Sequence, residues 1–263
     1  MTHEKLRPRR IDTHTHPNIS KMLSFDADAI TRMVRMARRL GLHGLALTEH
    51  LHCGAYWDVY DFLCRRYPIR RGVFRAGKVS LIPGGEINIR EGAHVVVLGE
   101  VNEIRRLDLS FPAPLSRGYE PTLKEMLDVS ERFDVVRIGA HMFRAQKELG
   151  KFPDDDLRRL DALEVNGKDF AKDAVLLERA ADLGLPIVAG SDAHHWLQLG
   201  VRHTVVEVEK MGVFEILRAI RLGRTSYDTT PLTSVRVKTA KTIKTWLKRL
   251  SAPRAEAPLA VSP

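Results

Sequence analysis

The chain has 263 residues, 44% of them hydrophobic and 29% charged; that is enough for one full-sized core or two small ones, and no unbroken apolar run is long enough to span a bilayer. Cys53 and Cys64 are too few for a disulfide framework and read as free thiols, and Met1-Thr2-His3-Glu4-Lys5 lacks the apolar core of a signal peptide, so a cytoplasmic location is expected. The net charge of +9 invites a nucleic-acid reading, but Arg236, Lys238, Lys241, Lys244, Lys248, Arg249 and Arg254 against Glu256 account for +6 of it, so the excess belongs mostly to the tail.

Arg7-Pro8-Arg9-Arg10 leads into a strand carrying Asp12, His14 and His16. Alternate residues of a strand share a face, so these three are expected to point one way, with two imidazoles able to converge on one ion. A helix follows at 26–40, with Ile30, Met33, Val34, Ala37 and Leu40 as its apolar stripe and Gly41 as its stop. Arg32, Arg35, Arg38 and Arg39 lie off the stripe and read as a solvated face. A buried strand at 42–48 ends in Glu49-His50-Leu51-His52, and a helix is expected at 55–71. The third strand, 79–86, delivers Glu86, whose two oxygens can bridge two ions; Pro83 and two glycines mark its end as irregular. The turn to a fourth strand at 92–99, with His94 at its start, is too short for a helical crossover, so these two strands are expected to be antiparallel.

Beyond them come a short helix from 101 to 107, a loop at 111–118 and a helix at 121–133. A strand at 135–140 ends at His141, with Arg144 just past it, and a strand at 160–165 leads to Asn166-Gly167-Lys168. A helix at 170–183 precedes the short apolar run 185–189, which delivers Gly190-Ser191-Asp192-Ala193-His194-His195. A strand at 204–208 and a helix at 213–222 close the body. Residues 235–250 carry Val237, Ala240, Ile243, Leu247 and Leu250 at helical spacing, and the chain after 251 reads as disordered. Two parts are expected: a body, 1–232, and a basic amphipathic helix with a tail, 233–263.

Strands alternating with helices indicate an α/β fold. An open doubly wound sheet gathers functional residues from a few strands at a switch point, whereas here six or seven strand ends contribute, which favours a closed barrel. Imidazole nitrogen and carboxylate oxygen suit divalent Zn, Mn or Fe.

Asp12-Thr13-His14-Thr15-His16, Thr48-Glu49-His50, Gly85-Glu86, His94, Ala140-His141 and Gly190-Ser191-Asp192-Ala193-His194, in that order, resemble the successive motifs of the PHP (polymerase and histidinol phosphatase) superfamily. The resemblance implies a distorted (β/α)7 barrel holding two or three divalent ions, Zn, Mn or Fe. It implies that His14, His16, Glu86 and Asp192 hold one ion, that Glu86 bridges to a second completed by His94 and His141, and that His50 and His194 hold a third. The family usually adds an Asp or His shortly after the first motif. Pro17-Asn18-Ile19-Ser20-Lys21-Met22 offers neither, which leaves Asp26 or Asp28 as substitutes and weakens the third site and a histidinol phosphatase assignment.

The expected activity is hydrolysis of a small phosphate ester, of a nucleotide or a sugar or amino-alcohol phosphate, by a metal-activated water. Arg144 and Lys168 are candidate phosphate clamps and His195 a candidate proton shuttle. Asp12 is a candidate to orient a ligand histidine, and Glu49 to do so at the third site. Two alternatives stand beside this. One is a nucleic-acid-associated PHP domain, nuclease or non-catalytic scaffold, which the basic tail mildly favours. The other is an amidohydrolase-like enzyme, which would need a lysine bridging the metals, and Lys168 is the one lysine that ends a strand convincingly. The expected partner is a small phosphorylated substrate, with nucleic acid open through the tail.

Overall fold

The computed structural model describes residues 5–17, 26–231, 233, 235–240 and 242. The segment after the first motif and most of the expected tail helix lie outside these residues. Residues 235–240 are helical. The Arg236 guanidinium donates to the carbonyls of Leu197 and Leu199, which ties this segment to the body.

In chain order the elements are β1 (Arg7–Thr15), α1 (Ala27–Arg39), β2 (Gly44–Leu47), α2 (Tyr56–Arg66), β3 (Ile69–Arg70), β4 (Val73–Ala76), β5 (Val79–Ile89), β6 (Ala93–Gly99), α3 (Val101–Asp108), α4 (Leu123–Ser130), β7 (Val135–Gly139), α5 (Asp154–Leu157), β8 (Ala162–Asn166), α6 (Asp173–Leu183), β9 (Ile187–Gly190), β10 (Arg202–Val208), α7 (Val213–Arg221) and β11 (Thr225–Thr229). One sheet runs β11-β10-β1-β2-β5-β6-β7-β8-β9, and the β3–β4 hairpin hangs on β5. β1, β2 and β5 are parallel, as are β7, β8 and β9. β6 runs antiparallel to both of its neighbours, as the short connection demanded. The sheet curls back until its ends nearly meet: Thr225 Oγ1 of β11 donates to the Ile187 carbonyl of β9 (2.8 Å), and behind them Thr13 Oγ1 of β1 donates to the Ala189 carbonyl (2.9 Å) and His16 N to the Ala193 carbonyl (2.8 Å). The result is a nearly closed, parallel-rich barrel.

Two expectations are corrected. The helix expected at 55–71 stops at Arg66, because Pro68 forces Tyr67 into an extended conformation (φ −130°, ψ 137°), and the chain then turns into the β3–β4 hairpin. The third strand does not end irregularly at its glycines but runs on to Ile89. Residues 80–83 pair with β2 and residues 84–89 with β6, so β5 belongs to both halves of the barrel. The glycines allow that change of partner: a Cβ at Gly84 would stand 2.6 Å from Leu98 Cδ2 and 2.7 Å from the Val97 carbonyl. The buried hydroxyls of Tyr56 and Tyr60 both donate to the Gly84 carbonyl, at 2.7 and 2.6 Å, and pin the strand two residues before Glu86.

Helix α1 forms as its pattern predicts. Asp26 caps it by accepting the Asp28 N–H, and Ala29, Ile30, Met33 and Ala37 are buried against the barrel.

Candidate metal centre

Seven of the eight metal-ligand candidates named from the sequence are buried, His194 is partly exposed, and all eight meet at the end of the barrel where the parallel strands finish. His14 and His16 leave β1 with their Nε2 atoms 3.1 Å apart. Glu86 stands among the imidazoles and divides them between its two oxygens. Oε2 lies 3.1 Å from His50 Nδ1, 3.5 Å from His16 Nε2 and 3.7 Å from His14 Nε2. Oε1 lies 2.7 Å from His94 Nδ1 and 3.2 Å from His141 Nε2. Asp192 closes the other side, with Oδ1 3.4 Å from His16 Nε2 and 3.4 Å from His194 Nδ1.

The donor atoms fall into three groups of ion-holding geometry: His14–His16–Asp192, His50–Glu86–His94 and His16–His50–His194. In each group the donor atoms lie within 4.8 Å of one another, the spacing of ligands around one ion; because His16 and His50 each belong to two groups, the groups are overlapping choices and not three separate sites. Two ring nitrogens at this centre, His94 Nε2 and His141 Nδ1, are buried and have no hydrogen-bond partner among the described residues.

Charge follows geometry. Burial pushes the Glu86 carboxyl upward, but His50, His94 and His14 outweigh it and hold it well below the usual carboxylate range. Asp192 behaves alike: burial raises it, while Lys168, His16 and the other neighbouring cations lower it further. Both stay ionised, so the pocket requires compensating positive charge, which protonated imidazoles or bound cations can provide.

The chain turns sharply at two of these residues. His141 (φ 32°) and Asp192 (φ 51°) adopt left-handed conformations that side chains disfavour. Carboxylates hold both turns. Glu164 Oε2 accepts the His141 N–H (3.1 Å), while its Oε1 meets His14 Nδ1 at 2.7 Å. Asp12 accepts the Ser191 N–H (2.9 Å) and hydroxyl (2.6 Å) and the Gly200 N–H (2.7 Å). Burial pushes the Asp12 carboxyl up to about 6 against the pull of those bonds.

Asp12 therefore does not orient a histidine ring. The register of β1 against β2 shifts between Asp12 and Thr15, which breaks the alternation expected to align Asp12 with His14 and His16. Glu164, which the sequence reading passed over, orients His14 instead. Glu49 contacts His16 Nδ1 at 3.4 Å, and His16 belongs to the His16–His50–His194 group as well as to the first. Asp26 and Asp28 do not replace the missing ligand: Asp26 caps α1 and pairs with Arg32 at 2.5 Å, and Asp28 is exposed.

The PHP-associated family model matches residues 177–225, from α6 through the Asp192 turn to the start of β11. The crystal structure of PsfC from Pseudomonas syringae PB-5123 superposes with a TM-score of 0.78 at 25% identity, covering 92% of this chain and 99% of that one. A two-domain protein containing a predicted PHP-like metal-dependent phosphoesterase, from Bacteroides vulgatus ATCC 8482, superposes with a TM-score of 0.59 at 20% identity, over 85% of this chain. The chain thus carries a PHP-associated segment on a fold shared with PHP-like structures. The lesion-specific endonuclease PfuEndoQ from Pyrococcus furiosus shares the fold (TM-score 0.68, 21% identity, 84% of this chain). The chain spans 58% of that endonuclease and 65% of the two-domain protein. No curated protein matches by sequence.

Beside the histidine cluster, two cations converge on Asp192. Lys168 Nζ lies 2.9 Å from Oδ1, and an Arg144 guanidinium nitrogen lies 2.8 Å from Oδ2. Asp169 Oδ2 accepts from Arg144 Nε (3.0 Å) and from a terminal nitrogen (2.7 Å), and Asn166 Oδ1 accepts a further bond (2.9 Å). Asn166 Nδ2 in turn donates to Glu164 (3.0 Å), so one chain of hydrogen bonds runs from His14 to Arg144. Asn166 and Asp169 flank Lys168 in sequence, and only their position just past a strand end marks them. His195 stands at the rim, in a small cleft shared with His16, His194, Arg32 and Trp196, where its Nδ1 accepts the Leu197 N–H at 3.3 Å. Among the described residues, no helix is long and apolar enough to cross a membrane.

Proposed function

We propose that the chain is a metal-dependent phosphoesterase that hydrolyses a small phosphate ester. The observation that supports this most is the division of imidazoles between the two oxygens of Glu86, an arrangement suited to a carboxylate bridging two ions. In this reading His14, His16, Glu86 and Asp192 hold one ion, Glu86, His94 and His141 a second, and His50 and His194 a third. His50 also lies within reach of the second group. Bound divalent ions supply Lewis acidity and a water of lowered pKa.

The chain's own residues do the rest. Arg144, its fork fixed by Asp169 and Asn166, presents a planar donor at the edge of the cluster where a phosphoryl oxygen docks. Lys168 adds a second positive charge on the same side. His195, with Nδ1 taken by a main-chain N–H, carries its proton on Nε2 and offers it at the rim toward the leaving group. The amidohydrolase-like reading loses ground, because the Lys168 ammonium is paired with Asp192 rather than placed as a ligand between ions.

The test is phosphate release from sugar phosphates, amino-alcohol phosphates and nucleotides by protein loaded with Mn or Zn. Metal-dependent release from at least one ester is expected. Arg144→Ala should lower kcat/KM by about 10- to 100-fold with metal content unchanged. Fully loaded protein that releases no phosphate from any ester would refute the reading.

A further inference from the structure

The strands that finish at the metal centre begin at a second charged region. Arg10 of β1, His43 just before β2 and Ser80 of β5 form a row joined by main-chain bonds: His43 N donates to the Arg10 carbonyl (2.8 Å) and Ser80 N to the His43 carbonyl (2.9 Å). Arg10 N also donates to His43 Nδ1 (3.1 Å), which fixes the imidazole with its proton on Nε2, as an outward donor. Burial and the charges of Arg9 and Arg10 lower the His43 pKa and keep the ring neutral.

The last turns of α1 come down beside this row. Arg35, Arg38 and Arg39, spaced three and four apart, share one helix face. Together with Leu42, His43 and Lys78 they line a cleft of about 520 Å³ with no carboxylate in its wall. Arg10 reaches it as well, with a guanidinium nitrogen 3.8 Å from where a Cβ of Gly41 would stand. Among the described residues, none of Arg10, Arg35, Arg38, Arg39 and Lys78 makes an ion pair, and Arg9 Nε is buried without a hydrogen-bond partner. Elsewhere Arg137, Arg159, Arg179, Arg202 and Arg221 each meet a carboxylate.

The helix C-terminus favours cations at Arg38 and Arg39. That does not account for Arg10 and Lys78, which arrive on other segments.

We propose that this cleft binds a compact oligophosphate anion, either free or as the phosphate chain of a nucleotide. Arginine forks match the oxygens of phosphate, and a cleft of this size admits several linked phosphates where a single one would leave most cations unmet. It lacks the row of aromatic faces on which a nucleic-acid strand stacks its bases. The cleft is separate from the metal centre, because Val79 and Glu86 lie seven residues apart on β5, about 23 Å along the strand. The proposal therefore stands whether or not the chain is a phosphoesterase.

The test is calorimetric titration of the full chain, stripped of metal with a chelator, with tripolyphosphate, ATP, AMP and a 20-nucleotide single-stranded DNA. Tripolyphosphate should bind one to one, weaken with salt, and lose tenfold or more in affinity in Arg38→Ala/Arg39→Ala and in Lys78→Ala, while Glu86→Ala changes it less than twofold. ATP binding alongside tripolyphosphate, with AMP much weaker, assigns the nucleotide source; tripolyphosphate binding without ATP assigns the free anion. Three results would overturn the proposal: no binding up to millimolar tripolyphosphate, binding lost in Glu86→Ala but kept in the cleft variants, or DNA binding tighter than tripolyphosphate and lost in those same variants.

Discussion

The two ends of the barrel treat charge in opposite ways. Where the strands finish, Glu86, Glu164 and Asp192 are buried, and each is met by imidazole, ammonium or guanidinium groups within 4 Å. Where the strands begin, arginines and a lysine crowd one cleft with no counter-charge in its wall. Buried ions must be compensated, because an unpaired one costs several kcal/mol, whereas exposed cations tolerate neglect because water screens them. The finishing end is thus rigid and over-determined, and the beginning end is an unmet demand for anions. The same strands produce both, since alternation and strand direction deliver carboxylates and imidazoles to one rim and basic residues to the other.

That contrast can be sharpened by two substitutions. Glu164→Gln keeps the shape but removes the charge that holds the His14 ring and the His141 turn. It should lower metal affinity by about 10- to 100-fold, measured by competition with a chromogenic chelator. An affinity unchanged within twofold would mean that the hydrogen-bonded ring, and not the carboxylate charge, sets the site. At the other end Arg38→Ala removes an unpaired cation from a like-charged face. Its unfolding free energy by urea denaturation should shift by less than about 0.5 kcal/mol, because relief from like-charged neighbours and loss of the attraction to the helix C-terminus oppose each other. A loss of 1 kcal/mol or more would show that Arg38 has a partner inside the chain and would remove the contrast.

The sequence made the finishing end legible because strand ends carry recognisable residues. His50, His94, His141 and His194 stand just inside or just past apolar runs, His14 and His16 alternate along a strand, and Glu86 and Asp192 follow glycine or serine. What stayed hidden required partners remote in sequence. Glu164 lies 150 residues from His14, and only the barrel brings them together. Asp12 was misjudged because a register shift in β1 cannot be seen in a period-two pattern. The β3–β4 hairpin was read as the end of a helix, although Pro68 marked the break. Arg32, Arg35, Arg38 and Arg39 are exposed, as a solvated helix face requires, but α1 alone does not reveal that Arg10, His43 and Lys78 lie beside that face.

The central claim is that Glu86 bridges two ions, and metal content per chain tests it most directly. Inductively coupled plasma mass spectrometry of the Mn- or Zn-loaded chain should find at least two ions, and Glu86→Ala should lose more than one of them, since both oxygens of the removed carboxylate face ligand sets. A Glu86→Ala protein that keeps its full metal complement, or a wild-type chain that holds one ion or none, would contradict the account.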